Sequence, residues 1–427
     1  MVQKNSFYGW NLVGVLWLIY LINIGFVFYG SNVINTSMVQ ELGMSRKTLG
    51  AGFALFHLIQ SGLSAPLIAF MINRKGIRFT LAFGSLLTAV GAVAMATLVN
   101  GPVLFLVIFG IIIGFGVGFG GVISVQTGIT FWFERKRALA MSIALTAAGI
   151  GGFMAAPILN TLISSMADNW RIAWFFIAGL CSIATLAGLL FVKNRPSDLG
   201  QFPDGESGAS KSAKDTHTIH GHIYRTTREW TTKETLKTTS LWLIFIAILG
   251  FLVPYLFCVS HGVIYLIDSG FPKSLAAVSL GLITLFSIIG RLIGGVLGDH
   301  IEPRYMWCIA LLVMAGGVLI CMFARSTVHV YLYTIFVGIA FGASFIMMPT
   351  VIGNYFGMYA FASIMGILSP LFTIFSSSSP LVAGVIRDLT GSYTIAFVGA
   401  FLFCIAGAVA IIAVRPHSEE DEKSLTV

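Results

Sequence analysis

One cation lies inside a long apolar stretch in the second half of the chain. Residues 274–298 contain Arg291 and no other charged side chain. Arg291 precedes Asp299, where the apolar run stops, by eight residues. A helix rises roughly 1.5 Å per residue, so Arg291 is expected about 12 Å deep, close to the middle of a hydrocarbon layer of about 30 Å. A guanidinium keeps its charge in proteins, and its fork of N–H donors matches a carboxylate. The sequence therefore predicts an anion site.

The neighbours of Arg291 on one helical face are polar or small. Thr284 and Ser287 precede it by seven and four residues, and glycines follow it at three, four and seven. A charge at this depth costs about 2.5 to 3.5 kcal/mol on insertion scales, so it is retained where it faces a cavity or a partner. The alternative is a structural ion pair, but no Asp or Glu lies deep within an apolar segment. We expect Arg291 and Ser287 to bind an anionic substrate.

Two histidines lie in other apolar stretches. His261 follows Pro254 by seven residues and precedes Tyr265 by four, and His57 lies in FALFHLIQSG. Histidine changes charge near neutral pH, so either side chain could pass a proton, and His261 could also bind the substrate. The alternative for each is a structural histidine that is hydrogen-bonded to a neighbouring backbone or hydroxyl group.

Further polar side chains lie in the first and fourth apolar stretches. Tyr29 and Asn32 are three residues apart, which places them on one face of an α-helix. Gln126 and Thr130 are similarly spaced. We expect Tyr29, Asn32 and Gln126 to line the substrate path. Hydrogen bonds between packed helices explain such residues equally well.

The composition is that of a membrane protein. The chain has 427 residues, of which 57% are hydrophobic and 10% charged, and its mean hydropathy is +0.90. Soluble domains carry about 25% charged residues. The net charge of +8 does not indicate nucleic-acid binding, because the basic residues occur in short runs between apolar stretches. The five cysteines lie in apolar stretches without CxxC spacing, and neither a metal site nor a cofactor is predicted.

Polar and turn-rich segments divide the sequence into twelve apolar stretches, and lipid requires that these be helices. They are residues 11–35, 49–72, 79–99, 103–130, 138–164, 171–192, 240–267, 274–298, 305–324, 328–352, 361–386 and 393–414. The predicted fold is an all-α membrane protein with twelve transmembrane helices in two pseudo-symmetric six-helix bundles. The predicted boundaries are 1–192 for the first bundle, 193–239 for a central loop, 240–414 for the second bundle and 415–427 for a tail.

The distribution of Lys and Arg predicts the orientation in the membrane. If the N-terminus is cytoplasmic, the cytoplasmic connections hold eighteen basic residues and the outer connections six. Basic residues concentrate in cytoplasmic loops. We therefore expect both termini and the central loop to be cytoplasmic.

The loop after the second stretch of each half carries a similar sequence. GGVLGDHIEPR holds Asp299 and Arg304, and PLIAFMINRKGIR holds Asn73 and Arg78 at the matching places. These loops resemble the conserved GxxxD(R/K)xGRR loop of the major facilitator superfamily of transporters. The resemblance implies the major facilitator fold and a gating role for Asp299, Arg304, Asn73 and Arg78. Asn73 stands where the family has an Asp.

A narrower resemblance covers nearly the whole chain. FYGW at 7–10, WFERKRALAMSIALTAAGIGG at 132–152, NRPSDLG at 194–200, and the stretches with His261 and Arg291 resemble the branch of oxalate:formate antiporters and monocarboxylate transporters. This resemblance implies that Arg291 binds a carboxylate. Thr373 lies near the place where the oxalate exchanger has a second cation, a lysine, which favours a substrate with one carboxylate. Ser287 stands where animal-type carriers have an acid.

Together these patterns predict a secondary active transporter of a small organic anion, a monocarboxylate of the lactate, pyruvate or formate type. We expect alternating access and symport with protons, with anion exchange as the alternative coupling. We also expect a monomer in the inner membrane of a bacterium, with the lipid bilayer and no nucleic acid as partners. An enzyme or a receptor is less favoured, because no nucleophile with a base partner is visible. The glycine-rich stretches at 110–121 and 149–152 favour close helix packing over phosphate binding.

Overall fold

The structure is a computed structural model that describes residues 7–167, 169–205, 223–226 and 228–415. The predicted tail beyond Arg415, and residues 206–222 and 227 of the predicted central loop, lie outside the described residues. Lys4 and Lys423, which are counted among the basic residues of the cytoplasmic connections, also lie outside the described residues. The described ranges contain helices, turns and irregular chain, and no β-strand.

Fifteen α-helices follow one another along the described chain. The first nine are α1 Gly9–Tyr20, α2 Ser31–Glu41, α3 Arg46–His57, α4 Ser64–Leu98, α5 Pro102–Phe105, α6 Gly114–Phe119, α7 Val122–Trp132, α8 Arg137–Ser165 and α9 Trp170–Phe191. The others are α10 Thr232–Lys237, α11 Thr239–Asp268, α12 Lys273–Gly298, α13 Pro303–Met322, α14 Thr327–Thr390 and α15 Thr394–Ala413. Helices satisfy their own backbone hydrogen bonds, which apolar sequences in lipid require.

Ten stretches of the described chain are long and apolar enough to cross a membrane. Two of them, Thr48–Leu98 with 51 residues and α14 with 64, are too long for one crossing, which needs about 20 residues. Each is broken by a glycine with a left-handed backbone, Gly76 with φ 82° and Gly357 with φ 74°. Both glycines lie between two predicted stretches, so each long helix accounts for two predicted crossings. The predicted all-helical membrane fold is confirmed.

The described residues of the first half include three π-helical segments. They are Leu21–Tyr29, Leu58–Leu63 and Leu106–Ile113. Segments of this kind rotate the following side chains around the helix axis and occur frequently at functional sites. The first segment ends at Tyr29, and a turn at Gly30 precedes α2. Gly30 keeps helical backbone angles, φ −67° and ψ −30°, and the placement of Tyr29 and Asn32 on one helical face remains a prediction.

The chain divides into two compact units. The first unit comprises Met1–Glu134, Ile143–Ser212 and Ala362–Pro370, and the second comprises Arg135–Ser142, Ala213–Phe361 and Leu371–Val427. Residues 135–142 thus belong to the second unit, although they were predicted in the first bundle. Residues 362–370 belong to the first unit, although they were predicted in the second bundle. The predicted boundaries at residues 192 and 240 remain predictions.

Helices of the first unit approach each other closely at glycines. A Cβ atom added at Gly25 would lie 2.5 Å from the Cα atom of Gly151, and one added at Gly118 would lie 2.5 Å from the Oγ atom of Ser64. Both distances are shorter than a carbon contact permits, so a side chain at either position would force the helices apart. This agrees with the packing role predicted for the glycine-rich stretches.

Three segments that are distant in sequence meet at one end of the first unit. The backbone N–H of Tyr8 donates to Oε1 of Gln201 at 3.0 Å, and the Tyr8 hydroxyl donates to the carbonyl oxygen of Phe191 at 2.8 Å. The centres of the Tyr8 and Trp132 rings are 5.9 Å apart. The backbone N–H of Glu134 donates to the Asp204 carboxylate at 2.9 Å. The chain before α1, the end of α7 and the residues after α9 are thereby fastened together.

The second unit is packed around α15, which contacts both α11 and α13. A Cβ atom added at Gly250 of α11 would lie 2.9 Å from the Cα atom of Gly407 of α15. The fully buried side chains of Phe251 and Trp307 pack edge to face, with ring centres 6.2 Å apart.

Candidate functional site

Arg291 is buried in the second unit, on α12. Its side chain is 7% exposed, and its guanidinium carbon lies 5.3 Å from the centre of the Phe345 ring on α14. An aromatic face at this distance attracts a cation by about 0.5 to 1 kcal/mol at exposed sites, and by about 2 kcal/mol or more where the pair is desolvated. The sequence prediction that Arg291 is a buried cation in mid-helix agrees with this placement. Phe345 holds the charged group against α14.

Ser287 lies one helical turn before Arg291 and is 3% exposed. Its hydroxyl donates to the backbone carbonyl of Thr284 at 2.7 Å. A serine oxygen also has two acceptor lone pairs. Ser287 thus keeps its proton within its own helix, and its part in substrate binding remains a prediction.

His261 bridges two other elements of the second unit. Its Nε2 atom is 2.9 Å from the carbonyl oxygen of Pro380 on α14, and its Nδ1 atom is 3.2 Å from the hydroxyl oxygen of Tyr393, which precedes α15. Both ring nitrogens therefore have a partner, as the alternative of a structural histidine expects. The proposed role of His261 in proton coupling remains a prediction.

The two partners of His261 are compatible with both of its charge states. A carbonyl oxygen only accepts hydrogen bonds, so Nε2 carries a proton in the tautomer that fits Pro380. A hydroxyl group both donates and accepts, so Tyr393 can donate to a neutral Nδ1 or accept from a protonated one. Gain or loss of a proton at Nδ1 then requires only that the Tyr393 hydroxyl hydrogen rotate.

Gln126 lies on α7 in the first unit and is fully buried. Within the described residues, neither its amide nitrogen nor its amide oxygen has a hydrogen-bond partner. A buried polar group left without a partner costs about 1 to 3 kcal/mol. The Gln126 side chain thus has both a donor and an acceptor to offer.

The remaining predicted residues of the path lie on the surface of the first unit. Tyr29 is 38% exposed, and the exposed Asn32 donates through Nδ2 to the Tyr29 carbonyl oxygen at 3.3 Å. His57 ends α3 and is exposed, with its ring 5.0 Å from the Phe28 ring in an edge-to-face arrangement. No hydrogen bond to the His57 ring is found in the described part of the chain. The roles of these three residues remain predictions.

Asp299 and Asn73, at matching places in the two halves, make different contacts. Each oxygen of the Asp299 carboxylate accepts one backbone N–H from the first turn of α8, Ala138 and Leu139, at 2.9 Å. A carboxylate at a helix N-terminus is favoured by the unpaired N–H groups and by the helix dipole. Asn73 instead donates through Nδ2 to the Oγ atom of Ser363 at 2.8 Å.

The two arginines predicted for gating also differ. Arg304 donates through Nη1 to the carbonyl oxygen of Val414, the residue that follows α15, at 2.6 Å. A cation at a helix C-terminus is favoured by the helix dipole. Arg78 is exposed. The backbone N–H of Arg78 donates to Oδ1 of Asn194 at 3.0 Å. Their gating roles remain predictions.

Sequence reasoning missed a buried acid between α12 and α13. Glu302 is 4% exposed and accepts the backbone N–H of Tyr224 at 2.7 Å and the hydroxyl of Tyr355 at 3.2 Å. Burial raises the pKa of the Glu302 carboxyl above its ordinary value, while these hydrogen bonds and the nearby charges of Arg304 and Arg225 act in the opposite direction. No sequence signal distinguishes Glu302 from an exposed loop acid, because Tyr224 is 78 residues away.

Phe345 and Tyr393 were also missed. Both are aromatic residues in or beside apolar stretches, where hydropathy gives them the same score whether they face lipid or a polar group.

No group of three potential metal-ligating side chains occurs within the described ranges.

Solved structures of known transporters share the fold. The chain superposes on the E. coli fucose:proton symporter FucP with a TM-score of 0.71 and 16% identity, covering 96% of this chain and all of that one. It superposes on the proton:xylose symporter XylE with a TM-score of 0.69 and 15% identity, covering 99% of each chain. At this identity the likeness shows the fold alone.

Sequence relatives include several monocarboxylate transporters. The chain is 28% identical to monocarboxylate transporter 13 of Bos taurus over 296 residues, which are 67% of this chain and 62% of the relative. It is 22% identical to monocarboxylate transporter 2 of Homo sapiens over 431 residues, or 95% of this chain and 84% of the relative. The match spans 61% of the length of monocarboxylate transporter 13 of Rattus norvegicus, so the first relatives are matched over less than two thirds of their length.

The family model for the Major Facilitator Superfamily matches residues 16–369 and 282–426. These ranges together cover most of the chain, including Arg291 and the two similar loops. The chain is therefore an integral membrane protein that belongs to the major facilitator superfamily.

Proposed function

We propose that this protein is a secondary active transporter of a small monocarboxylate that is carried together with a proton. The observation that supports this proposal most strongly is the burial of Arg291 in the middle of a membrane-spanning helix. Within the described residues, Arg291 and Arg137 are the buried cations, and Arg137 is the first residue of α8 rather than a mid-helix residue. An intramembrane cation is retained for function because its insertion is costly.

The substrate class follows from the chemistry of the site. Arg291 offers planar donors that match a carboxylate, and binding of one carboxylate neutralises its charge. A second carboxylate on the same substrate would be desolvated without a partner, which is unfavourable. Thr373, near the place where the oxalate exchanger has its lysine, is buried and uncharged. We therefore propose a substrate such as lactate, pyruvate or formate rather than a dicarboxylate.

His261 is the proposed carrier of the coupled proton. Its two partners fit either charge state of the ring, so it can exchange a proton without a change of packing. Gln126, whose buried amide has no hydrogen-bond partner among the described residues, is proposed to bind the polar part of the substrate. Tyr29, Asn32 and His57 are proposed to line the path.

The relatives agree with this proposal. The names of the cattle and human proteins describe monocarboxylate transporters. The proposal takes the substrate class from these names, and not an individual substrate, while the coupling is proposed from His261. We therefore also propose that the whole chain acts as a transporter and not as an enzyme.

Alternating access requires contacts that break during the cycle. We propose that the bonds from Asp299 to the first turn of α8 form one such contact, because Asp299 lies in the loop that resembles the conserved loop of the family. Asn73, Arg78 and Arg304 are proposed to act at the same stage of the cycle.

The proposed setting is a monomer in the inner membrane of a bacterium with cytoplasmic termini. The orientation is supported by the excess of Lys and Arg in the connections assigned to the cytoplasm, and the location by the short loops. The named relatives are mammalian, so they do not bear on the location.

Uptake of labelled L-lactate by reconstituted vesicles tests the proposed function. Proton symport predicts accumulation when the outside is acidic and the vesicles contain no carboxylate, and predicts loss of uptake in Arg291→Ala. Anion exchange, the alternative coupling, predicts uptake that requires internal carboxylate and ignores the pH gradient. Absence of any Arg291-dependent uptake of lactate, pyruvate or formate would contradict the proposal.

A further inference from the structure

Helix α14 comes into backbone contact with α12 at the turn that carries Arg291. A Cβ atom added at Gly342 would overlap the carbonyl oxygen of Ser287 and would lie 2.8 Å from the backbone nitrogen of Arg291 and 2.9 Å from the carbonyl carbon of Ser287. All three are main-chain atoms, so no side-chain rotation can relieve the overlap. A residue larger than glycine at position 342 must push the two helices apart at Arg291.

The close approach continues along both helices. A Cβ atom at Gly338, one turn before Gly342, would lie 2.6 Å from the carbonyl oxygen of Ile283. On the other helix, a Cβ atom at Gly290 would lie 2.8 Å from the carbonyl carbon of Ile339, and one at Gly294 would lie 3.2 Å from the Cα atom of Ala343. Residue numbers increase in the same direction on both helices, so a pair of glycines four residues apart on α12 meets a similar pair on α14. Such pairs allow the backbones of membrane helices to approach closely.

The same part of α14 also holds the other end of the Arg291 side chain. Phe345 follows Gly342 by three residues, a spacing that places two side chains on one helical face. Its ring centre is 5.3 Å from the guanidinium carbon. One face of α14 therefore fixes both the backbone and the charged group of Arg291, and the distance between the two helices determines where the guanidinium lies.

We propose that Gly342 is a positioning residue for the substrate carboxylate. It does not touch the substrate, but it sets the depth and direction of the Arg291 guanidinium by permitting backbone contact between α12 and α14. This inference rests on the proposed role of Arg291 in carboxylate binding. Its consequence is that one methyl group at residue 342 weakens carboxylate recognition although Arg291 and Phe345 are both intact.

The test is the KM for labelled L-lactate uptake by vesicles that contain Gly342→Ala. Loss of one hydrogen bond between the guanidinium and the carboxylate corresponds to about a tenfold loss of affinity, so we expect KM to rise about tenfold. Gly294→Ala forces a smaller displacement next to the same residue and is expected to raise KM by a smaller factor. It keeps the inference testable if Gly342→Ala does not fold.

Two control variants separate positioning from general loss of stability. Gly250→Ala introduces a tight main-chain contact, 2.9 Å from the Cα atom of Gly407, between α11 and α15. It is expected to lower the melting temperature as Gly342→Ala does, but to leave KM within about twofold of the wild type. Gly281→Ala lies on α12, where an added Cβ atom has no neighbour within 4 Å, and is expected to change neither quantity.

Three results would each overturn the inference. They are an unchanged KM in Gly342→Ala, an unchanged KM in Gly294→Ala if Gly342→Ala does not fold, and an equal rise of KM in Gly250→Ala. Arg291→Gln distinguishes this failure from failure of the proposed function. If Arg291→Gln abolishes lactate uptake while the glycine variants retain the wild-type KM, only the positioning role is wrong. If Arg291→Gln transports like the wild type, the proposed carboxylate site itself is wrong.

Discussion

The guanidinium carbon of Arg291 lies 5.3 Å from the centre of the Phe345 ring, so the buried cation of α12 is held by an aromatic face of α14. The contact compensates part of the cost of burying the charge. It also restricts the orientation of the donors that would meet a carboxylate.

Replacement of Phe345 by leucine should weaken carboxylate binding. The contact orients the guanidinium, and loss of a desolvated cation–π contact of about 2 kcal/mol corresponds to an increase in Kd of up to about thirtyfold. Isothermal titration of the purified protein with L-lactate measures this change. Phe345→Tyr keeps the ring and should bind like the wild type, and equal affinities of the leucine and tyrosine variants would show that the ring is not involved.

Replacement of Asp299 by asparagine should loosen the first turn of α8. The carboxylate accepts two backbone N–H groups, and asparagine has one oxygen to offer and no charge. Charge-assisted hydrogen bonds contribute about 1.5 to 3 kcal/mol each, so amide exchange at Ala138 and Leu139 should accelerate about tenfold or more. Hydrogen-exchange mass spectrometry detects this effect. Asp268→Asn removes an exposed carboxylate at 3.9 Å from Arg387 and should leave this exchange unchanged; if both variants exchange like the wild type, the cap is unimportant.

Stability should depend on pH through Glu302. Burial raises its pKa in the folded protein, so the folded state binds the proton more tightly than the unfolded state. This contribution is complete below the ordinary glutamate pKa of about 4.3 and is lost as pH rises through the raised pKa. The melting temperature of the wild type should therefore fall relative to that of Glu302→Gln over this pH range.

Glu234 provides a control of opposite sign. Hydrogen bonds from Thr231 and the charge of Arg228, 2.9 Å away, lower the pKa of the Glu234 carboxyl. Its contribution to stability is present above the ordinary glutamate pKa and is lost as pH falls. The melting temperature of the wild type should therefore fall relative to that of Glu234→Gln as pH is lowered. Parallel pH profiles of the wild type and Glu302→Gln would show that Glu302 does not titrate as described.

Replacement of His261 by glutamine should separate exchange from proton-driven transport. Glutamine keeps hydrogen-bonding capacity but cannot carry a proton at neutral pH. Vesicles with His261→Gln should exchange internal for external lactate and should fail to accumulate lactate in response to an inward proton gradient. Tyr393→Phe removes one partner of the ring and should retain gradient-driven uptake. Gradient-driven accumulation by His261→Gln would contradict the coupling role.

The sequence predicted the features that depend on hydropathy and on local spacing. The helical membrane fold and the deep position of Arg291 follow from the length of apolar runs. The bonds from Asp299 to Ala138 and Leu139 did not follow from spacing, because they join residues about 160 positions apart. The Phe345 ring and the glycine contact at Gly342 were missed because hydropathy does not record which helix a side chain faces.

Local periodicity did not predict the departures from α-helical geometry. The π-helical segment Leu21–Tyr29 has no signal in the spacing of its apolar side chains. The sequence also predicted longer breaks between helices than the structure has. A single left-handed glycine, Gly76 or Gly357, divides each of the two long helices.

The most direct test of the account is the thermal stability of purified wild type and Arg291→Ala with lactate, pyruvate, formate, acetate, oxalate and nitrate. A ligand that binds the native state stabilises it by about 2.7 kcal/mol at a hundred times its Kd. The account predicts that at least one monocarboxylate raises the melting temperature of the wild type and that this rise disappears in Arg291→Ala. A rise that persists in Arg291→Ala, or that occurs with oxalate or nitrate and with no monocarboxylate, would contradict it.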